Sequence, residues 1–177
     1  MQKSLTGRKV AILVGNGFDE MQMTDCQRAL LGAGATLKII SPAPGLVHGW
    51  QGSSKGEGGW GHYHPVDHQT SETLAADFDM LLLPSGERSL AKLLETGHTL
   101  RIIRGFRDAG KPVAAIGSGI SLLKEAGRLE GVTVAGGEDI IKIDGNILTA
   151  TDTVEMKGFI EAMLTLFAGE ESLKTAA

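Results

Sequence analysis

Short apolar runs alternate with amphipathic stretches along this chain. Residues 8–14 (RKVAILV) form a continuous apolar run whose length and β-branched content predict a strand buried on both faces. Gly15-Asn16-Gly17 breaks it. A helix opening near Asp19 then places Met23, Cys26, Leu30 and Ala33 on one face before Gly34 ends it. Residues 35–41 (ATLKIIS) predict a second strand, stopped by Pro42-Ala43-Pro44-Gly45. Residues 46–69 read as a hairpin interrupted by a long Gly/Ser loop, and 78–84 (FDMLLLP) as a third buried strand. Helical patterns follow at 89–95 and 99–109, with Gly110 as the cap. A fourth strand is predicted at 112–116, with a helix over 118–126 starting at its end. A short apolar segment at 132–134 precedes a hairpin, 140–143 with 147–150, around Asp144-Gly145-Asn146. Asp152 is placed to cap a last amphipathic helix reaching about Phe167, and 168–177 is expected to fray.

The strand-helix alternation predicts an α/β domain with a mostly parallel sheet and helices on both faces. In such sheets the ligand site lies beyond the carboxyl ends of the strands. Three turns converge there: 15–20, 84–86 and 117–119. The 177 residues suit one domain over 1–177 with its core at about 8–167. The net charge is −4 and the basic residues are scattered, which argues against nucleic acid. No apolar run reaches the ~18–20 residues of a membrane helix. The first residues run into a strand with no signal-like segment, which predicts a cytoplasmic protein. The one cysteine, Cys26, excludes an internal disulfide and any Cys-rich metal site. Its place on the apolar helix face predicts a buried, inert thiol.

Four segments in register carry a family resemblance: Gly17-Phe18-Asp19-Glu20-Met21-Gln22, Phe78-Asp79-Met80-Leu81-Leu82-Leu83-Pro84-Ser85-Gly86, Gly110-Lys111-Pro112-Val113-Ala114-Ala115-Ile116, and Ile143-Asp144-Gly145-Asn146. They resemble the DJ-1/PfpI (ThiJ) superfamily, whose fold resembles that of class I glutamine amidotransferases. The resemblance implies a flavodoxin-like three-layer sandwich and covers about 8–167. In that family a strand-to-helix elbow holds a reactive cysteine beside helix N–H groups, and an acid from the first turn bonds the sulfur. In some members a histidine follows the cysteine. In register, the cysteine position is Gly117, the histidine position Ser118 and the acid position Asp19, while Ser85 replaces a glycine of the oxyanion turn. The thiol chemistry of the family therefore does not carry over to Gly117. The Ala115-Ile116-Gly117-Ser118-Gly119 stretch is also similar to the C-terminal domain of large-subunit catalases, whose elbow lacks a nucleophile.

Ser118 reads either as a displaced nucleophile or as the N-cap of a helix over 119–126. Asp19 reads either as a ligand-binding or catalytic acid or as a first-turn acid complementing the helix dipole. Asp19, Ser85, Gly86, Gly117, Ser118 and Gly119 together form a candidate site for a small anion, with glycine there also serving the tight turn. His62, His64 and His68 would share one face of a strand at period two, but Pro65 interrupts the run and no metal is assigned. The glycine-rich stretch 49–61 with Trp50, Trp60 and Tyr63 suggests a subunit interface or a lid.

Two functions follow. One is a non-catalytic family member, a pseudoenzyme without cofactor that acts as a stress-associated or anion-binding homodimer or higher homo-oligomer. The other is a protease-like hydrolase or amidase using Ser118 with Asp19.

Overall fold

The computed structural model describes residues 4–52 and 57–176, without the side chains of 170–176. The buried apolar runs become the central strands: β1 (Lys9–Leu13), β3 (Thr36–Ser41), β7 (Met80–Leu83), β8 (Val113–Ile116) and β10 (Ile147–Ala150). With the short β6 (His68–Gln69) and β9 (Ile141–Asp144), they form a seven-stranded sheet ordered β6-β3-β1-β7-β8-β10-β9. Every pairing in it is parallel except β9 against β10.

Alternate residues of each strand feed opposite faces. Val10, Ile12, Met80, Leu82, Ala114 and Ile116 pack with α1 (Glu20–Gly32) and α5 (Met156–Ala176). Ala11, Leu13, Leu81, Leu83, Val113 and Ala115 pack with α2 (Glu87–Leu93), α3 (Gly97–Asp108) and α4 (Ser118–Glu125). A sheet covered on both faces needs continuous apolar strands, which is why these runs carry no polar alternation.

The chain steps from β1 to β3 on one side of the sheet and later to β7 on the other. The turns after β1, β7 and β8 therefore meet at one sheet edge, as the sequence predicts. The hairpin read over 46–69 is present, with its strands reaching further into the glycine-rich stretch than the long loop expected there, of which 53–56 lie outside the described residues. β4 (Leu46–Gly52) and β5 (Gly58–Pro65) form an antiparallel hairpin, and β2 (Phe18–Asp19) pairs with β4 to make a second, three-stranded sheet. At Gly49, Gly52, Gly58 and Gly61 neighbouring atoms crowd the positions where side chains would stand. The segment at 132–134 forms no strand, and α5 starts at Met156 rather than beside Asp152.

One glycine sets how α4 meets the sheet. A Cβ on Gly119 would stand 2.5 Å from the Leu83 carbonyl oxygen at the end of β7. Gly119→Ala is therefore expected to destabilise the fold by about 1–3 kcal/mol, measured as a lowered urea midpoint with unchanged slope.

Candidate functional site

The elbow geometry is intact. Gly117 connects β8 to α4 at φ 53°, ψ −117°, a left-handed conformation that only glycine adopts freely. Its N–H donates to the Ala150 carbonyl at 2.8 Å, tying the elbow to β10. Gly117, not Ser118, is the N-cap of α4, so the cap expected of Ser118 is replaced by a different contact. The Ser118 hydroxyl is buried and accepts from Gly86 N–H at 2.8 Å. It also lies 3.5 Å from Ser85 Oγ, while Ser118 N–H reaches the same oxygen at 3.4 Å.

Ser85 Oγ donates in turn to the carboxylate of Asp152. Because that proton is committed, Ser118 is the donor of the serine pair. The polar chain thus runs Ser118 to Ser85 to Asp152. No histidine or lysine is among the described hydrogen-bond partners of Ser118 Oγ.

This chain of groups fills the space beside the elbow. A Cβ built on Gly117 would overlap Asp152 Oδ1 and lie 2.5 Å from Ser85 Oγ. The volume that an elbow side chain would enter is taken by Ser85 and Asp152. Sequence patterning assigns Asp152 to a helix cap, because Asp before an amphipathic run is a common N-cap. The late start of α5 leaves that carboxylate free to reach Ser85.

The first turn opens α1 at Asp19, where the sequence places the helix start. Asp19 is the N-cap of α1, its carboxylate accepting from Gln22 N–H at 3.1 Å. Burial, opposed by that hydrogen bond and reinforced by the charge of Asp152, pushes its pKa above the ordinary carboxylate value. The side chain that meets the oxyanion-turn backbone is Gln22, which accepts from Ser85 N–H at 2.9 Å. Asp19 N–H donates to the Ser85 carbonyl at 2.8 Å, completing a reciprocal pair between the first turn and the turn after β7. Gln22 stands at the third helical position of α1, within reach of the turn after β7. Here the N-cap amide is already spent on Ser85, so the Gln22 side chain turns to the neighbouring turn.

Backbone donors that could cradle an anion at the elbow are largely engaged inside the protein. Ser85 N–H goes to Gln22, Gly86 N–H to Ser118 and Gly117 N–H to Ala150. An anion there would have to break these bonds.

A second polar cluster sits where α1 meets the hairpin. The Glu20 carboxylate, 5% exposed, accepts from Gln51 Nε2 at 2.6 Å, His62 N–H at 2.8 Å and His64 Nε2 at 2.8 Å. The His62 ring nitrogen Nδ1 lies 3.3 Å from the same carboxylate. Burial favours the neutral acid, but these donors outweigh it and hold the Glu20 pKa down at about 2. Gly49 and Gly61 let the hairpin come this close, since a Cβ at either would stand 2.9 Å and 2.5 Å from Glu20 atoms respectively.

The histidines divide between two sheets. His62 and His64 lie on β5, whereas His68 lies on β6 beside β3. Among the described residues no group of three or more His, Cys, Asp or Glu side chains is arranged to hold a metal. His48 stacks between Trp60 and Tyr63, with ring centroids 4.6 Å and 4.0 Å away. Cys26 is fully buried in α1, and burial pushes its thiol up to about 12, far from the reactive range.

Two predictions follow from this geometry. Gly117→Cys is expected to destabilise the protein by at least about 2 kcal/mol. Adding Asp152→Ala should restore at least about 1 kcal/mol of that loss through coupling of the two sites, measured by urea denaturation of all four variants. The depressed Glu20 pKa means that its stabilising contribution is complete above the unfolded-state value of 4.5 and is lost as pH falls toward about 2. The wild-type protein should lose about 3 kcal/mol between pH 5 and 2 through this group. Glu20→Gln should be less stable at pH 7 and show a flatter acid limb when urea midpoints are followed against pH.

Comparison with known proteins agrees with this architecture. The family model described as "DJ-1/PfpI family" matches residues 8–166. General stress protein 18 of Bacillus subtilis is 30% identical over 131 residues, covering 73% of this chain and 71% of that protein. Catalase HPII of Mycobacterium avium is 23% identical over 124 residues, covering 70% of this chain but only 16% of the catalase. The solved structure of oxidised Toxoplasma gondii DJ-1 superposes with a TM-score of 0.76 at 19% identity, over 96% of this chain and 95% of that one. With the parallel sheet, the glycine elbow and the three converging turns, these matches establish that the chain belongs to the DJ-1/PfpI family.

Proposed function

We propose that this chain is a family member without cysteine-dependent chemistry at its elbow, serving as a stress-associated binding module that assembles as a homo-oligomer. The occupied elbow carries this reading. Ser85 and Asp152 stand where a nucleophile's side chain would project, and the one cysteine of the sequence lies buried in α1. The resemblance to General stress protein 18 supports the association with stress. Exposed aromatic residues on the hairpin support assembly: Trp60 and Tyr63 are 52% and 61% exposed. The described residues hold no helix long and apolar enough to cross a membrane, in keeping with the cytoplasmic location we propose.

A serine hydrolase is the second reading, favoured by the polar chain from Ser118 through Ser85 to Asp152. In this geometry the acid in line with Ser118 is Asp152 rather than Asp19, whose carboxylate caps α1. Ser118 Oγ is buried, and among the described residues no imidazole or amine partners it to take up its proton.

A fluorophosphonate probe separates the two. The folded protein is expected to remain unlabelled at Ser118 by mass spectrometry and to turn over no ester or amide. Labelling that Ser118→Ala abolishes would establish the hydrolase instead. Sedimentation is expected to show a dimer or larger assembly, weakened by Trp60→Ala with Tyr63→Ala.

A further inference from the structure

The central sheet has two free edges. One is β6, only two residues long. The other is β9, Ile141-Lys142-Ile143-Asp144, which among the described residues pairs only with β10. We propose that β9 is a self-association edge, to which a second copy of this chain adds its own β9 antiparallel, so that the two central sheets become one.

The phase of the β9–β10 hairpin fixes what this edge offers. Asp144 and Ile147 close the turn, Lys142 stands opposite Thr149, and Thr151 N–H donates to the Ile140 carbonyl at 3.0 Å. The backbone groups of Lys142 and Asp144 therefore face β10, and those of Ile141 and Ile143 point away from it. No described hydrogen bond to another element engages the N–H or carbonyl of either isoleucine. Ile140 and Ile143 are 38% and 45% exposed, so large apolar side chains flank the open row of donors and acceptors. Such a row is a template for another strand.

The order of side chains selects the occupant. Lys142 and Asp144 share one face of β9, and Ile141 and Ile143 share the other. Setting Ile143 opposite Ile143 of the second copy places Lys142 opposite that copy's Asp144, twice over by symmetry. Backbone phase permits this register. The two Ile143 residues exchange both bonds, and each lysine meets its aspartate at the closer, non-bonded position. The alternative of Ile141 opposite Ile143 would set Lys142 against Lys142, like charges directly opposed. An edge lysine ordinarily discourages strand addition. Here the aspartate two residues on supplies its counter-charge within an identical strand. Among the described residues Lys142 makes no ion pair, and Asp144 commits one carboxylate oxygen to Thr133 N–H at 2.7 Å.

This edge lies away from the β4–β5 hairpin. β10, β8 and β7 stand between β9 and β1, the strand that leads into β2 and the hairpin sheet. Pairing at β9 adds to assembly through Trp60 and Tyr63 without competing with it, and would join such dimers into tetramers or longer chains.

The test uses the full chain carrying Trp60→Ala and Tyr63→Ala, which removes the hairpin contact. Sedimentation of this parent at high micromolar concentration is expected to show a monomer–dimer equilibrium. Adding Lys142→Asp alone or Asp144→Lys alone should weaken it about tenfold or more, since each sets like charges opposite one another twice. Mixing these two variants should restore association as a heterodimer, because every facing pair is again opposite in charge. Misfolding of a variant cannot imitate that recovery. Ile143→Cys should form an intermolecular disulfide under mild oxidation, the Cα spacing of about 5.5 Å in a bonded antiparallel pair being suited to one. Leu74→Cys, at a position 56% exposed and outside β9, should not. The proposal is overturned if the parent stays monomeric at every concentration, if the single charge variants associate as tightly as the parent, or if mixing restores nothing. Should Trp60→Ala with Tyr63→Ala leave wild-type assembly undiminished while the charge variants abolish it, the hairpin contact fails and the β9 contact stands.

Discussion

The hydrogen bond from Ser85 Oγ to Asp152 decides what the elbow contains. It draws a carboxylate from the segment after β10 into the space beside Gly117, and it fixes the Ser85 proton so that Ser118 must donate in the other direction. Gly86 N–H then closes on Ser118. The turns after β7, β8 and β10 are thus joined by a continuous polar chain. The N–H groups of Ser85, Gly86 and Gly117 are satisfied inside the protein without a ligand, as buried polar groups generally are. A glycine at 117 is a consequence of this packing as well as of its positive φ.

The first turn adds a second level of order. Reciprocal bonds between Asp19, Gln22 and Ser85 lock the start of α1 to the turn after β7. One residue along, Glu20 faces away from the elbow and pins the hairpin to α1. Two adjacent acids therefore do different work. Asp19 caps a helix in a setting that disfavours its charge, and Glu20 is held ionised by a ring of donors. The hairpin, drawn in by Glu20 and made slim by Gly49 and Gly61, shapes a cleft on the outer side of α1.

The fold was legible because buried parallel strands leave an unmistakable mark: runs such as Val10–Leu13 and Met80–Leu83 have no polar alternation. The convergence of the three turns followed from topology. The site was less legible because its groups act across chain-distant contacts. Ser118 looks like a helix cap because it follows a strand and precedes a helical pattern. Its actual partner, Gly86, lies 32 residues away in sequence. Asp152 carries a local signal for capping, and only tertiary packing shows that it and Gln22 both turn to Ser85. Glu20 was hidden beside Asp19, since nothing local marks which of two adjacent acids points at a hairpin. The glycines of that hairpin suggest a loop by composition, whereas here they admit a carboxylate against a strand.

The central claim is that the elbow's interior is filled by the protein's own groups. A high-resolution crystal structure of the wild-type protein at neutral pH tests it most directly. The account predicts density for the Asp152 carboxylate against Ser85 Oγ, within van der Waals contact of Gly117 and with nothing between them. An Asp152 side chain turned to solvent, with water or a bound anion lodged beside Gly117 and Ser118, would contradict it.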